Sequence, residues 1–245
     1  MIRLNNIKIR ENISDIEVFK RAIEKNKIKQ EEVEEWHIYK KSIDARKKDD
    51  IFLNYAIDIQ LKDTKRENKF TQVKEEKWPQ IEVKRNSKYR PVIIGMGPAG
   101  LFAGLFLVDN GIEPIILERG KSVEERIKDV EDFANNRKFS TVSNIQFGEG
   151  GAGTFSDGKL NTGNSSIYSR KVLEEFVKFG APKEIMYVAK PHLGTDVLIN
   201  VVKNIRKDIE KCGDVRFETK LVGIIIEDNQ LKEVVLENNE GTYKE

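Results

Sequence analysis

The chain has 245 residues, of which 34% are charged and 38% hydrophobic, and its formal net charge at pH 7 is +2. This length suffices for one large domain or two modest ones, and the composition is typical of a globular protein with a heavily charged surface. Residues 1–90 carry 23 basic and 17 acidic side chains, which indicates a scattered Lys/Glu surface. Nucleic-acid binding needs a concentrated basic face with interleaved aromatic residues, so the composition argues against it.

Cysteine content and hydropathy limit the chain further. Cys212 is the only cysteine, which excludes a disulfide framework, a thiolate metal cluster and a redox-active CxxC motif within this chain. The first residues lack a signal-peptide pattern, and no apolar run approaches the length of a membrane span. We therefore expect a cytoplasmic protein with no metal site and no membrane partner.

The first part of the chain is predicted to form a small α+β domain over residues 1–88. Apolar periodicity predicts a strand over residues 2–9, a helix over 12–26, a short helix over 29–35, and strands over 36–41 and 51–61. Residues 62–89 are charged and interrupted by Pro79, and we interpret them as the connection to a second domain.

From Arg90 the pattern becomes α/β, and the second domain is predicted over residues 89–245. Asn110 and Gly111 supply the expected C-terminal cap of its first helix. The predicted helices cover residues 98–109, 121–136, 169–179 and 196–212, and the predicted strands cover 91–95, 112–118, 215–219, 221–227 and 231–237.

The strongest motif lies in residues 90–100, where a short apolar strand runs into a glycine turn of GxGxxG spacing and then into a helix. This order is the dinucleotide-binding fingerprint of a Rossmann-type βαβ unit. Gly95 allows the tight turn, Gly97 lets a pyrophosphate approach the backbone, and Gly100 lets the helix pack against the strand. The helix N-terminus favours the phosphates, and Glu118, at the end of the next strand, is the expected acceptor for a ribose diol. The alternative interpretation is a glycine-rich turn without a ligand.

A second glycine-rich stretch spans residues 147–163, with five glycines within eleven positions. Because glycine loses more conformational freedom on folding than any other residue, this density predicts that a phosphate or a large flat group lies against the backbone. Thr154 and Ser156 supply hydroxyl groups for hydrogen bonds to it. Apolar side chains interleave with the glycines and favour an ordered loop over a flexible surface loop: Phe147, Phe155 and Leu160.

Together these motifs resemble flavoproteins with two dinucleotide-binding domains, of the glutathione-reductase structural class, and within it the bacterial FAD-dependent dehydrogenases. The resemblance covers nearly the whole chain. The glycine turn is shared by many flavoproteins, whereas the long glycine loop is specific to few. The supporting segments are residues 95–100, Glu118-Arg119-Gly120, 146–162, Lys190-Pro-His-Leu-Gly-Thr-Asp196 and Ser42-Ile-Asp-Ala-Arg46.

The resemblance implies FAD as the cofactor, since the glycine loop has no role in a simple nicotinamide domain. The glycine turn would hold the pyrophosphate, Glu118 the adenosine ribose, and Arg119 would lie near the adenine or ribose. The backbone of Leu221 would contact the adenine edge, and the loop would line the pyrophosphate and the isoalloxazine. The implied cofactor-binding residues are Gly95, Gly97, Pro98, Ala99, Gly100, Glu118, Arg119, Arg126, Gly150, Gly151, Ala152, Gly153, Thr154, Ser156, Gly158, Lys159 and Leu221.

Several polar positions have a more open interpretation, and no catalytic residue is assigned. Arg126 either reaches a phosphate or is one more solvated charge on a polar helix. Lys159 is a candidate for placing a positive charge near a reduced flavin, and His192 is a candidate for proton transfer. Thr195 or Asp196 is expected to cap the helix that follows.

The expected fold class is therefore α/β, with a Rossmann-like FAD-binding domain preceded by the small α+β domain. In the resembled class the meander is followed by an Ala-Thr-Gly-type turn, a Gly-Asp segment and a further domain. None occurs before Glu245, so we expect an incomplete FAD domain in the N-terminal part of a longer flavoprotein. The expected function is an FAD-dependent oxidoreductase that transfers hydride or electrons, with its small-molecule substrate and its electron donor or acceptor unassigned. The alternatives are an FAD-dependent tRNA-modification-type factor, for which the mildly basic first domain is the only support, and a catalytically inactive FAD-binding module.

Overall fold

A computed structural model describes residues 1–73, 78, 89–160 and 166–245, so half of the predicted connection and the end of the glycine loop lie outside the described residues. The chain forms two compact units that alternate along the sequence. The domain limits predicted at residues 1–88 and 89–245 stay a prediction. The first unit comprises Met1–Pro79, Leu160–Val177 and Pro182–His192, and the second comprises Gln80–Lys159, Lys178–Ala181 and Leu193–Glu245.

The first unit begins with a three-stranded antiparallel sheet, in which β3 (Phe52–Leu61) lies between β1 (Ile2–Ile9) and β2 (Val33–Asp44). Helix α1 (Asp15–Lys25) packs its apolar stripe, which includes Val18 and Phe19, against this sheet in one hydrophobic core. Ser14 Oγ caps the start of the helix by accepting a hydrogen bond from Glu17 N. The short helix predicted over residues 29–35 is a single 3₁₀ turn, Gln30–Glu32. The elements are β1 (Ile2–Ile9), α1 (Asp15–Lys25), β2 (Val33–Asp44), β3 (Phe52–Leu61) and α2 (Thr64–Glu67).

The second unit contains a three-stranded parallel sheet in the order β4–β5–β6, followed by a three-stranded antiparallel meander, β7–β8–β9. The strands are β4 (Val92–Ile94), β5 (Ile115–Leu117), β6 (Asp214–Arg216), β7 (Lys220–Glu227), β8 (Gln230–Asn238) and β9 (Gly241–Lys244). The helices of the second unit are α3 (Pro98–Asp109), α4 (Val123–Asn136) and α6 (Thr195–Ile209), whereas α5 (Ile167–Lys178) belongs to the first unit apart from its last residue.

Both faces of the parallel sheet are covered, which explains why every residue of β5 is apolar and buried. On one face, a Cβ atom placed on Gly104 of α3 would lie 2.5 Å from Ile116 Cδ1 and 3.2 Å from Ile209 Cδ1 of α6. On the other face, Ile115 and Leu117 pack in one cluster with two residues of β8, Val234 and Leu236. Helices, parallel sheet and meander therefore form three layers, and the α/β, Rossmann-like fold class is confirmed.

The helix predicted over residues 98–109 is confirmed at both ends. Asn110 closes it, its Nδ2 donating to Phe106 O at 2.7 Å, and Gly111 follows in the left-handed region at φ +70°. The expected side-chain cap on α6 is wrong, because the N-cap is Gly194 and no side chain caps the helix. Thr195 instead donates its hydroxyl to Ser156 O at 3.2 Å. Strand β9 was not predicted.

Candidate functional site

The glycine turn after β4 has the geometry that its spacing predicts. Gly95 has a φ of +89°, and its N–H donates to Leu117 O of the neighbouring strand at 2.7 Å. A Cβ atom on Gly100 would lie 1.9 Å from Gly95 O, so the first turn of α3 packs directly on the turn backbone. Gly97 is the N-cap of α3 and has no side chain to cap it. A Cβ atom placed on Gly97 would meet nothing within 4 Å, so the space beside it is open.

Glu118 connects the end of β5 to this turn. Its side chain is buried, with Oε2 accepting a hydrogen bond from Met96 N at 2.7 Å and Oε1 accepting one from Gly120 N at 2.8 Å. Each carboxylate oxygen has a second lone pair, so both can accept a further hydrogen bond. The position lies at the carboxyl end of the parallel strands, where ligands bind in open α/β sheets.

The first glycines of the long loop are required by packing within the protein. A Cβ atom on Gly120 would lie 2.6 Å from Gly148 Cα, so these two backbone segments touch. Gly148 has a φ of +113°, and its Cβ position would lie 2.7 Å from Arg126 Cδ. Some of the glycines of this loop are therefore needed for its packing against the rest of the protein.

Arg126 holds the loop from inside the protein. Its side chain is fully buried, and its guanidinium donates to three backbone carbonyls: Asn144 O and Ile145 O at 2.8 and 2.9 Å, and Glu149 O at 2.5 Å. Burial lowers the pKa of Arg126 to about 10, against the opposing charges of Glu118 and Glu149. The interpretation of Arg126 as a solvated charge is wrong. Its contact with a phosphate stays a prediction.

Glu149 is a second buried charge, and no sequence motif predicts its role. Its Oε2 accepts a hydrogen bond from Val123 N at 2.7 Å, at the start of α4, and its Oε1 accepts one from Arg206 Nε at 2.9 Å. Arg206 also pairs with Glu124 at 2.8 Å, so α4, α6 and the loop meet in one charged network. Burial raises the pKa of Glu149 to about 7 despite these partners.

The raised pKa predicts that stability depends on pH through Glu149. Between pH 4.5 and 7 the folded chain holds a proton at this site that the unfolded chain has released, so the free energy of unfolding falls as pH rises. The fall from this group amounts to at most about 3 kcal/mol. Urea unfolding at pH 5 and pH 8 measures this fall in the free energy of unfolding, and the fall is expected to be smaller in Glu149→Gln. An equal fall in both proteins would contradict the assignment.

The loop returns to the glycine turn at Gly150. Gly150 N donates to Met96 O at 2.7 Å, and a Cβ atom on Gly151 would lie 3.2 Å from Pro98 Cδ. Ala152 and Gly153 are exposed in the short 3₁₀ turn that follows. Thr154 is buried, and its Oγ1 has no hydrogen-bond partner among the described residues.

The far end of the loop lies beside the start of α6. Ser156 Oγ donates to Gly153 O at 2.8 Å, and Leu193 N donates to Gly158 O at 2.8 Å. Lys159 is exposed and pairs with Asp157 at 2.7 Å, which raises the pKa of Lys159. His192 is exposed in a segment that belongs to the first unit. Neither candidate role for these two side chains is tested by this geometry.

Leu221 lies at the start of β7, close to the backbone of Glu118. Thr219 N donates to Glu118 O at 3.0 Å, two residues before Leu221. The Leu221 side chain is half-buried and packs against the cluster that covers β5. Its backbone contact with an adenine edge stays a prediction.

The residues present fit a dinucleotide. The uncapped start of α3, the open space at Gly97 and the Glu118 carboxylate are the parts that a pyrophosphate and ribose need. In the described part of the chain, no three or more His, Cys, Asp or Glu side chains are grouped to hold a metal ion. None of the helices described has the length and apolar character of a membrane span.

Comparisons with known proteins give these similarities. Residues 1–60 match a family described as a domain of unknown function, DUF8436. An uncharacterized protein of Clostridium beijerinckii is 40% identical over an alignment 249 residues long, which covers 96% of this chain and 46% of that protein. The chain thus spans less than half the length of the relative it matches.

Two solved structures are similar to part of this chain at low identity. The THI4 protein of Thermovibrio ammonificans is 15% identical with a TM-score of 0.41, over 64% of this chain and 53% of that one. A 3-ketosteroid-Δ4-(5α)-dehydrogenase of Rhodococcus jostii RHA1 is 12% identical with a TM-score of 0.40, over 65% of this chain and 44% of that one.

Proposed function

We propose that this chain forms the FAD-binding half-site of an oxidoreductase. The supporting observation is that Met96, inside the glycine turn, is bound on both backbone groups by later segments. Its N–H donates to the Glu118 carboxylate, and its carbonyl accepts from Gly150 N. The pyrophosphate turn, the ribose acceptor and the glycine loop therefore meet at one residue.

Each part of the site has a physical role toward the dinucleotide. The first-turn N–H groups of α3, which no side chain caps, bind the pyrophosphate, and the helix dipole favours its negative charge. Glu118 accepts hydrogen bonds from the ribose hydroxyls with its remaining lone pairs. Gly97 and Gly151 keep the backbone bare where the cofactor approaches. FAD, when bound, supplies the hydride- and electron-transfer chemistry.

The choice of FAD over a nicotinamide rests on the loop. A loop that returns to the turn through Gly150 and Gly151 adds a second wall, which a simple nicotinamide domain lacks. The resemblance to FAD-dependent dehydrogenases points the same way. Substrate and electron partner are unassigned, and the chain spans less than half of its relative.

Gly97→Leu provides the test. Because Gly97 has an ordinary φ of −71° and open space at its Cβ position, the variant is expected to keep its thermal midpoint. Its side chain fills the space where the pyrophosphate approaches, so FAD affinity is expected to fall at least about thirtyfold, and Gly97→Ala should lie between. Absorption spectra and FAD titrations of the purified chain measure both. Unchanged FAD affinity in Gly97→Leu would place the site elsewhere, and a wild-type chain that binds NAD but not FAD would overturn the cofactor.

A further inference from the structure

Phe147 is an exposed aromatic residue on a rigidly held backbone. Its side chain is 40% exposed, yet its N–H donates to Asn144 Oδ1 at 3.2 Å and its carbonyl accepts from Asn144 N at 3.1 Å. Gln146 N donates to the same Asn144 Oδ1 at 2.8 Å. These bonds hold the backbone of the turn in place at Phe147.

The turn is itself anchored beside the ribose acceptor. Arg126 holds the carbonyls of Asn144 and Ile145 from inside the protein. The next residue, Gly148, packs on Gly120, whose N–H binds the Glu118 carboxylate. Phe147 is therefore placed next to the segment that recognises the sugar.

Arg119 lies against the Phe147 ring. Its guanidinium carbon lies 4.4 Å from the centroid of the Phe147 ring, in a cation–π contact, and the side chain is exposed. Aromatic rings and guanidinium planes are the surfaces on which nucleobases stack. Arg119 follows Glu118 in the chain, and Phe147 precedes Gly148, which packs on Gly120. The adenine of a dinucleotide is bonded directly to the ribose.

We propose that Phe147, stacked with Arg119, is the surface that receives the adenine ring of the bound dinucleotide. This inference rests on the proposed function and adds an adenine-binding residue, Phe147, to the site. Phe139 offers a contrast within the same stretch of chain. It is 60% exposed, but its ring meets Phe133 at 5.7 Å in an edge contact, and no described contact ties it to Glu118.

The test compares FAD binding by the wild-type chain and by Phe147→Ala, Phe147→Trp and the matched control Phe139→Ala. Loss of the stacking ring is expected to raise the Kd for FAD about tenfold, whereas the tryptophan variant and Phe139→Ala stay within about twofold of wild type. ADP carries the adenine without the flavin, and its inhibition constant against FAD binding is expected to rise by the same factor in Phe147→Ala.

The outcomes separate this inference from the proposed function. Wild-type affinity for FAD in Phe147→Ala overturns the adenine contact and leaves the FAD site standing. The same holds if the Kd for FAD rises while the inhibition constant of ADP is unchanged. It also holds if the tryptophan variant binds FAD as weakly as the alanine variant. Failure of the wild-type chain to bind FAD overturns the proposed function itself.

Discussion

Replacing Gly100 with alanine is expected to destabilise the second unit by about 3 kcal/mol. The added Cβ atom would lie 1.9 Å from Gly95 O, and both positions are backbone that cannot rotate away. Helix propensity alone predicts the opposite sign, because alanine is about 1 kcal/mol better than glycine inside a helix. The sign of the change therefore distinguishes a required close approach from an incidental glycine.

Gly104→Ala, in the same helix, is the matched control. Its Cβ atom would meet the mobile ends of Ile116 and Ile209, which can shift, so a smaller loss is expected. Urea unfolding followed by far-UV circular dichroism, with hydrogen exchange of residues 92–117, reports the change. Tryptophan fluorescence follows the first unit separately, because Trp36 and Trp78 are the two tryptophans of the chain. A Gly100→Ala protein as stable as the wild type would contradict the packing described.

Arg126→Met is expected to lower the free energy of unfolding by about 4 kcal/mol. Methionine keeps the apolar part of the side chain and removes the guanidinium. Three carbonyl groups, two of them in buried hydrogen bonds, then lose their donor, and the carboxylates of Glu118 and Glu149 lose a nearby positive charge. Because the loop turn is held by these bonds, residues 143–151 are expected to exchange their amide hydrogens faster.

Lys203→Met is the control for the removal of a positive charge. Lys203 pairs with Glu124 at 3.0 Å but its side chain is 35% exposed, so a change of about 0.5 kcal/mol is expected. Denaturant unfolding and hydrogen exchange of both variants measure the difference. Similar small losses in the two variants would show that the carbonyls around Arg126 find other partners.

The glycine turn and its acid could be predicted because their constraints are local. The strand before Gly95 and the helix after Gly100 are each encoded by a short apolar pattern, and the GxGxxG spacing has few structural uses. Glu118 follows from its position at the end of the next strand. The glycine loop contacts the turn through Gly150 and Gly151, and its expected contact with a pyrophosphate stays a prediction.

The buried charges could not be predicted. Arg126 lies on a helix whose sequence is polar, and its partners are carbonyls of residues 144, 145 and 149, in a stretch without helix or strand. Carbonyl partners leave no mark in the sequence, because every residue has one. Glu149 was hidden for a similar reason, since its partners come from the starts and ends of other helices.

We expect the order of pairing in the parallel sheet to set the order in which the proposed site is completed during synthesis. Ile115 of β5 pairs with Asp214 of β6, roughly 100 residues later, and contacts so distant in sequence form slowly. Strands β1 to β3, in contrast, all lie within the first 61 residues. The glycine turn and Glu118 thus leave the ribosome long before the strand and helix that cover them. We therefore expect the proposed dinucleotide site to fold late, and cofactor present during refolding to reach it only in the last step.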